Sequence, residues 1–166
     1  MLQRSFTSAL LLGVTAGLRT MTAPASLALA QQQPGAERIW LLESPRAARV
    51  LTALAIGELI FDKLPFAPKR IGLAGLSGRL LSGAICGAAV AREDQAAGAL
   101  LGMAGALTSS FAGYFLRKRA GQASGVPDAL IGLLEDCAAV GIGLVAASLE
   151  GQCAESEYRL RRPNAA

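Results

Sequence analysis

The sequence contains no histidine. Imidazole catalysis and histidine-ligated zinc are therefore excluded. Cysteine is scarce: three residues are few and odd in number, which argues against a small scaffold held by a disulfide framework. Cys86 and Cys137 fall inside apolar stretches, where a free thiol behaves as a small hydrophobe, and Cys153 stands alone beyond them. Aromatic residues make up only 5% of the chain and charged residues only 17%, below the roughly 25% charged residues of a soluble domain. The GxxxxGK[ST] phosphate loop is missing, and no DxD or DxxD cluster marks a metal site. The sequence calls for no cofactor and no metal.

What is abundant is small and apolar. Hydrophobic residues reach 52%, chiefly Ala, Leu, Val and Ile, with 19 glycines beside them, and mean hydropathy is +0.42. A disordered chain would need low hydrophobicity and high charge, so that class is excluded. The net charge of +4 comes from basic residues set in short groups between apolar stretches. That is the pattern of loops flanking membrane helices and gives no sign of nucleic-acid binding.

The clearest apolar stretch runs from Gln95 to Leu116, carries no formal charge, and is closed by Arg117, Lys118 and Arg119. A bilayer core of about 30 Å needs about 20 such residues, and a basic triplet is the expected headgroup anchor. Four further stretches are interrupted by a few charges or a proline: Ser5–Ala30 by Arg19 and Pro24, Ala47–Leu64 by Arg49 near its start and by Glu58 and Asp62 within, next to Lys63, Leu73–Ala91 by Arg79, and Asp128–Leu149 by Glu135 and Asp136. Each charge at bilayer depth costs about 2.5–3.5 kcal/mol on insertion scales, so four such stretches in one chain point to a packed bundle with its charges facing inward. The expected fold is an all-α polytopic membrane bundle of about five Gly/Ala-rich transmembrane helices, some broken. Residues 1–150 form its single domain, and residues 151–166 form a charged, disordered tail.

Two competing readings have residues behind them. A soluble helical bundle would show polar residues at helical spacing, a face that Gln95–Leu116 lacks. The basic Arg4, an apolar run and Ala28-Leu29-Ala30 resemble a secretory signal peptide, but Arg19 ends that run well before the small residues. Counting Lys and Arg in the loops of a five-span chain favours a cytoplasmic N-terminus and an external C-terminus.

Small residues recur at steps of three and four: Gly83 with Gly87, Gly98 with Gly102, and from there a row through Ala106 and Ser109 or Ser110 to Gly113. Such faces let helix backbones approach closely, within one chain or in a homo-oligomer. The charges Arg19, Glu58, Asp62, Arg79, Glu135 and Asp136 form the candidate site. Glu58 and Asp62 share one helix face at i and i+4, and ionisable groups inside a membrane usually pair with one another. Two arginines set against four carboxylates leave an excess of negative charge able to hold a cation or a proton.

The runs Gly17-Leu18-Arg19-Thr20-Met21-Thr22-Ala23-Pro24-Ala25, Gly57-Glu58-Leu59-Ile60-Phe61-Asp62-Lys63-Leu64-Pro65, Gly78-Arg79-Leu80-Leu81-Ser82-Gly83-Ala84 and Leu134-Glu135-Asp136 resemble, in this order, the domain of unknown function 4126 family. The resemblance extends from about Ser5 to Leu149. It implies a small multi-pass protein of a prokaryotic cytoplasmic (inner) membrane with its first segment retained, and it supplies no substrate or catalytic residue. Read together, these features lead us to expect an integral membrane protein, a component of a small-solute or ion transporter or channel, with the lipid bilayer as its surroundings and no catalytic role. The alternatives are a non-catalytic assembly subunit and an enzyme acting on lipid headgroups.

Overall fold

The computed structural model describes residues 2–32, 39, 42, 44–61, 73–123 and 128–161. Among them are six α-helices and no strand: α1 (Leu2–Leu18), α2 (Thr22–Ala30), α3 (Pro45–Phe61), α4 (Leu73–Val90), α5 (Gln95–Ala123) and α6 (Asp128–Arg161). Two of these are long and apolar enough to cross a membrane, α5 over Gln95–Ala120 and α6 over Leu130–Leu149. α4 is apolar over the shorter stretch Gly75–Val90. The all-α fold is as the composition predicts.

Local chemistry sets several helix ends. Ser44 stands just before α3, and its Oγ accepts the Arg46 N–H at 3.3 Å. Asp94 caps α5 by accepting the Ala97 N–H at 2.9 Å, which closes the tight turn after α4. The boundary after α1 follows from a proline. In a continuous helix the Thr20 carbonyl would accept the N–H of residue 24, but Pro24 has none.

The register of the contacts gives each helix its direction. Gly13 abuts Gly102 and Gly17 abuts Ala106, so α1 runs parallel to α5. Gly83 meets Gly102 and Gly87 meets Gly98, so α4 runs antiparallel to both. On α6, Asp136 lies beside Arg19 and Gly143 beside Thr15, so α6 also descends against α1. Gly143 touches Ser26 of α2 as well, eleven residues beyond Thr15. A continuous helix would separate two such residues by about 16 Å. The chain therefore reverses at Arg19–Met21, and α2 returns alongside α6.

This reversal corrects the sequence reading of Ser5–Ala30 as one span. α1 and α2 form a hairpin that enters and leaves from the same end of the bundle. The start of α1 and the end of α6 consequently share one end, where a five-span chain would separate them, so the premise of a cytoplasmic N-terminus opposite an external C-terminus fails. The helix α6 also continues to Arg161 and does not end at Glu150, so residues 151–161 are helical where a disordered tail is expected. Most of the Gln-rich loop, the Pro65 turn and the Gly121–Pro127 linker beyond Ala123 lie outside the described residues.

The core is made of small side chains. Ala9, Ala16, Ala23, Ala106 and Ala146 are fully buried, and among the described residues Leu12 and Leu27 are the only large aliphatics to join them completely. Leu100, Leu116, Leu134, Ile60 and Phe61 are each more than half exposed. The helix α1 sits at the centre, packed by α4, α5 and α6. The glycines make this possible: a Cβ on Gly102 would overlap the Gly83 carbonyl oxygen, and a Cβ on Gly98 the Gly87 carbonyl oxygen. Thus Gly83, Gly87, Gly98 and Gly102 are used within the chain. Cys86 is buried in this packing, Cys137 is exposed, and both are free thiols.

Candidate functional site: the charged cluster at the helix reversal

A chain reversal inside a helical bundle leaves backbone groups without helical partners, and buried groups of that kind cost several kcal/mol in an apolar medium. Side chains from three other helices meet this need. Glu58 of α3 accepts the Thr20 N–H at 2.8 Å on Oε1 and the Met21 N–H at 2.7 Å on Oε2. Ser82 of α4 donates its hydroxyl to the Thr20 carbonyl at 2.7 Å, taking the place of the N–H that Pro24 lacks. Ser110 of α5 donates to the Gly17 carbonyl at 3.0 Å. The carboxylate of Glu58 faces two amides at the start of α2, where the helix dipole favours negative charge.

Arg19 lies at this reversal and is 2% exposed. Its own N–H still bonds the Thr15 carbonyl, so Arg19 ends the hydrogen-bonded run of α1. Its guanidinium is fixed by Asp136 of α6: Nε donates to Oδ1 at 2.7 Å, and Nη2 pairs with the same oxygen. Neighbours on a helix point about 100° apart, so Glu135 faces a different partner from Asp136. It pairs with Nη2 of Arg117 on α5 at 2.7 Å. Gly113 leaves the room for the Glu135 carboxylate beside α5.

Arg79 is buried on α4, one residue after Gly78, whose nearest neighbour across the bundle is the side chain of Thr20. The reversal therefore gathers Arg19, Glu58, Arg79, Glu135 and Asp136 at one level. Asp62 lies outside the described residues. Sequence reasoning missed the bridging roles of Ser82 and Ser110. It also assigned Arg117 to the headgroup region, whereas its side chain is only 22% exposed and paired. Ser110 is visible in the sequence only as a member of a small-residue row, and Ser82 only as part of the run from Gly78 to Ala84. For Arg117 the signal is Gly113, one turn earlier on α5.

Among the described residues no group of three or more His, Cys, Asp or Glu could hold a metal ion. Each of Arg19, Glu58, Glu135 and Asp136 is engaged in holding the backbone turn or a neighbouring helix. These charged groups can change their contacts by exchanging one partner for another.

Fold and site thus define an all-α protein built around a helical hairpin with a buried ion pair at its tip. No family model, curated protein or solved structure matches the chain.

Proposed function

We propose that the chain is an integral membrane protein of the cytoplasmic membrane of a prokaryote, a component of a small-solute or ion transporter or channel, with the hairpin tip as its site. The observation that supports the membrane setting is the distribution of exposed side chains. Along α6 the exposed positions from Leu130 to Ser148 carry no charge, and along α5 the exposed positions from Leu100 to Leu116 carry none. A soluble bundle places polar residues on such faces. Small residues inside and large aliphatics outside suit a lipid solvent, because close helix approach supplies the dispersion contact that water exclusion cannot. On this reading α1 and α2 form a re-entrant pair, and the remaining helices cross the bilayer. The resemblance to the domain of unknown function 4126 family agrees with this setting.

What supports the transport reading is the reversal itself. Interrupted helices with unwound backbone near the middle of a bundle form the binding sites of many secondary transporters. Here two amides of the unwound backbone are held by a charged group, the Glu58 carboxylate. The assembly-subunit reading loses its main support, because the glycine faces that would bind a partner are filled within the chain.

The test is flux into liposomes containing the purified protein, loaded with a pH-sensitive dye and placed under sodium, potassium or chloride gradients. Wild-type protein is expected to dissipate at least one gradient, and Glu58→Gln and Glu135→Gln protein that still folds is expected not to. Normal flux in both variants removes these carboxylates from the mechanism.

A further inference from the structure

Helix α3 stands apart from the glycine-packed centre. Its main contacts are with α2, and only Ala48 and Ala55 along its length are buried. An open groove flanks it on each side. One, of about 430 Å³, is lined by Leu27, Ala47, Val50, Leu51, Ile85 and Ala89. The other, of about 470 Å³, is lined by Leu29, Ala48, Arg49, Thr52 and Ile56. Both reach the first turns of α3, the first at Ala47–Leu51 and the second running along it from Pro45 to Ile56. Arg46 and Arg49 lie on these turns, three residues apart on one face, and both are exposed. The Arg49 Nε bonds the Pro45 carbonyl at 3.2 Å, and neither arginine has a carboxylate partner among the described residues.

Two apolar grooves beside two exposed arginines, one of which lines the second groove, match the shape of one class of molecule. We infer that α3 carries a binding site for an anionic diacyl phospholipid, its phosphate on Arg46 and Arg49 and one acyl chain in each groove. This rests on the membrane reading above. Charge decides the occupant: a zwitterionic lipid would fill the grooves as well but would gain much less from the arginines. Arg46 and Arg49 also stand at the end of the bundle opposite the hairpin tip, so the lipid site is separate from the charged cluster.

Mass spectra of the intact protein in mild detergent, titrated with phosphatidylglycerol or phosphatidylcholine, test the assignment. Wild-type protein should prefer phosphatidylglycerol by about tenfold or more, as expected for two arginines near a charged headgroup. The double variant Arg46→Gln/Arg49→Gln should lose that preference, and Val50→Trp, which places a ring over the first groove at an exposed position, should weaken retention of both lipids. Equal binding of the two lipids by wild type, or an unchanged preference in the double variant, overturns the site. Release of the protein from membranes by alkaline carbonate would defeat the membrane reading itself, an outcome distinct from equal lipid binding by a protein that stays in the membrane.

Discussion

Where α1, α4 and α5 meet, glycines bring three backbones together and leave no space a methyl group could enter. Where α3 meets the bundle, two grooves separate it from its neighbours, and at its far end the Glu58 carboxylate ties it to the hairpin tip. The first region is held by close packing along its length, the second by a short interface with α2 and a pair of hydrogen bonds. The difference indicates which part of the molecule has freedom to move. A helix anchored through one carboxylate can shift by exchanging that anchor, whereas the glycine seam can only be disrupted.

Substitutions at the glycine seam should do the most damage. Gly102→Leu should prevent a native fold, with a loss above about 4 kcal/mol, because the obstacle is the Gly83 backbone and not a side chain able to turn aside. Size-exclusion chromatography in detergent should show aggregate; a monodisperse variant with unchanged thermal unfolding would mean that the helices are further apart than described. Next is the buried pair. Asp136→Ala leaves Arg19 charged and enclosed, at a cost of about 3–5 kcal/mol, and Arg19→Leu combined with Asp136→Leu should be the less damaging change. A double-mutant cycle in denaturant measures this, and additive losses would show that the two residues do not interact.

Smaller effects sharpen the contrast. Glu58→Gln keeps one acceptor oxygen in place of two and should cost about 1–2 kcal/mol. Hydrogen exchange should quicken at the amides of Thr20 and Met21 while the α5 amides stay protected; equal acceleration in both would contradict the independence of α3. Least of all, Gly141→Ala meets open space on α6 and should stabilise the helix by up to about 1 kcal/mol through propensity alone. Thermal unfolding that falls in this variant would show that the outer face of α6 is covered.

The all-α class and the clustering of Arg19, Glu58, Arg79, Glu135 and Asp136 were legible in the sequence because both depend on local pattern. Apolar stretches of the right length mark helices, and isolated charges within them stand out. The break near Arg19 was legible too, since Pro24 removes a helical donor. What was not legible is the angle at which the chain leaves the break. Nothing in residues 17–25 distinguishes a kink from a full reversal. That choice is made by Glu58, Ser82 and Ser110, which are distant in sequence and which hold the turn open. For the same reason the sequence could propose that arginines pair with carboxylates, but not that Asp136 faces Arg19 while its neighbour Glu135 faces Arg117.

The reversal at Thr20 also bears on where reporter groups can be placed. With the first residues of α1 and the last of α6 at one end of the bundle, two labels carried on those segments would sit close enough for energy transfer, and a label on α3 near Glu58 would report separately on the hairpin tip.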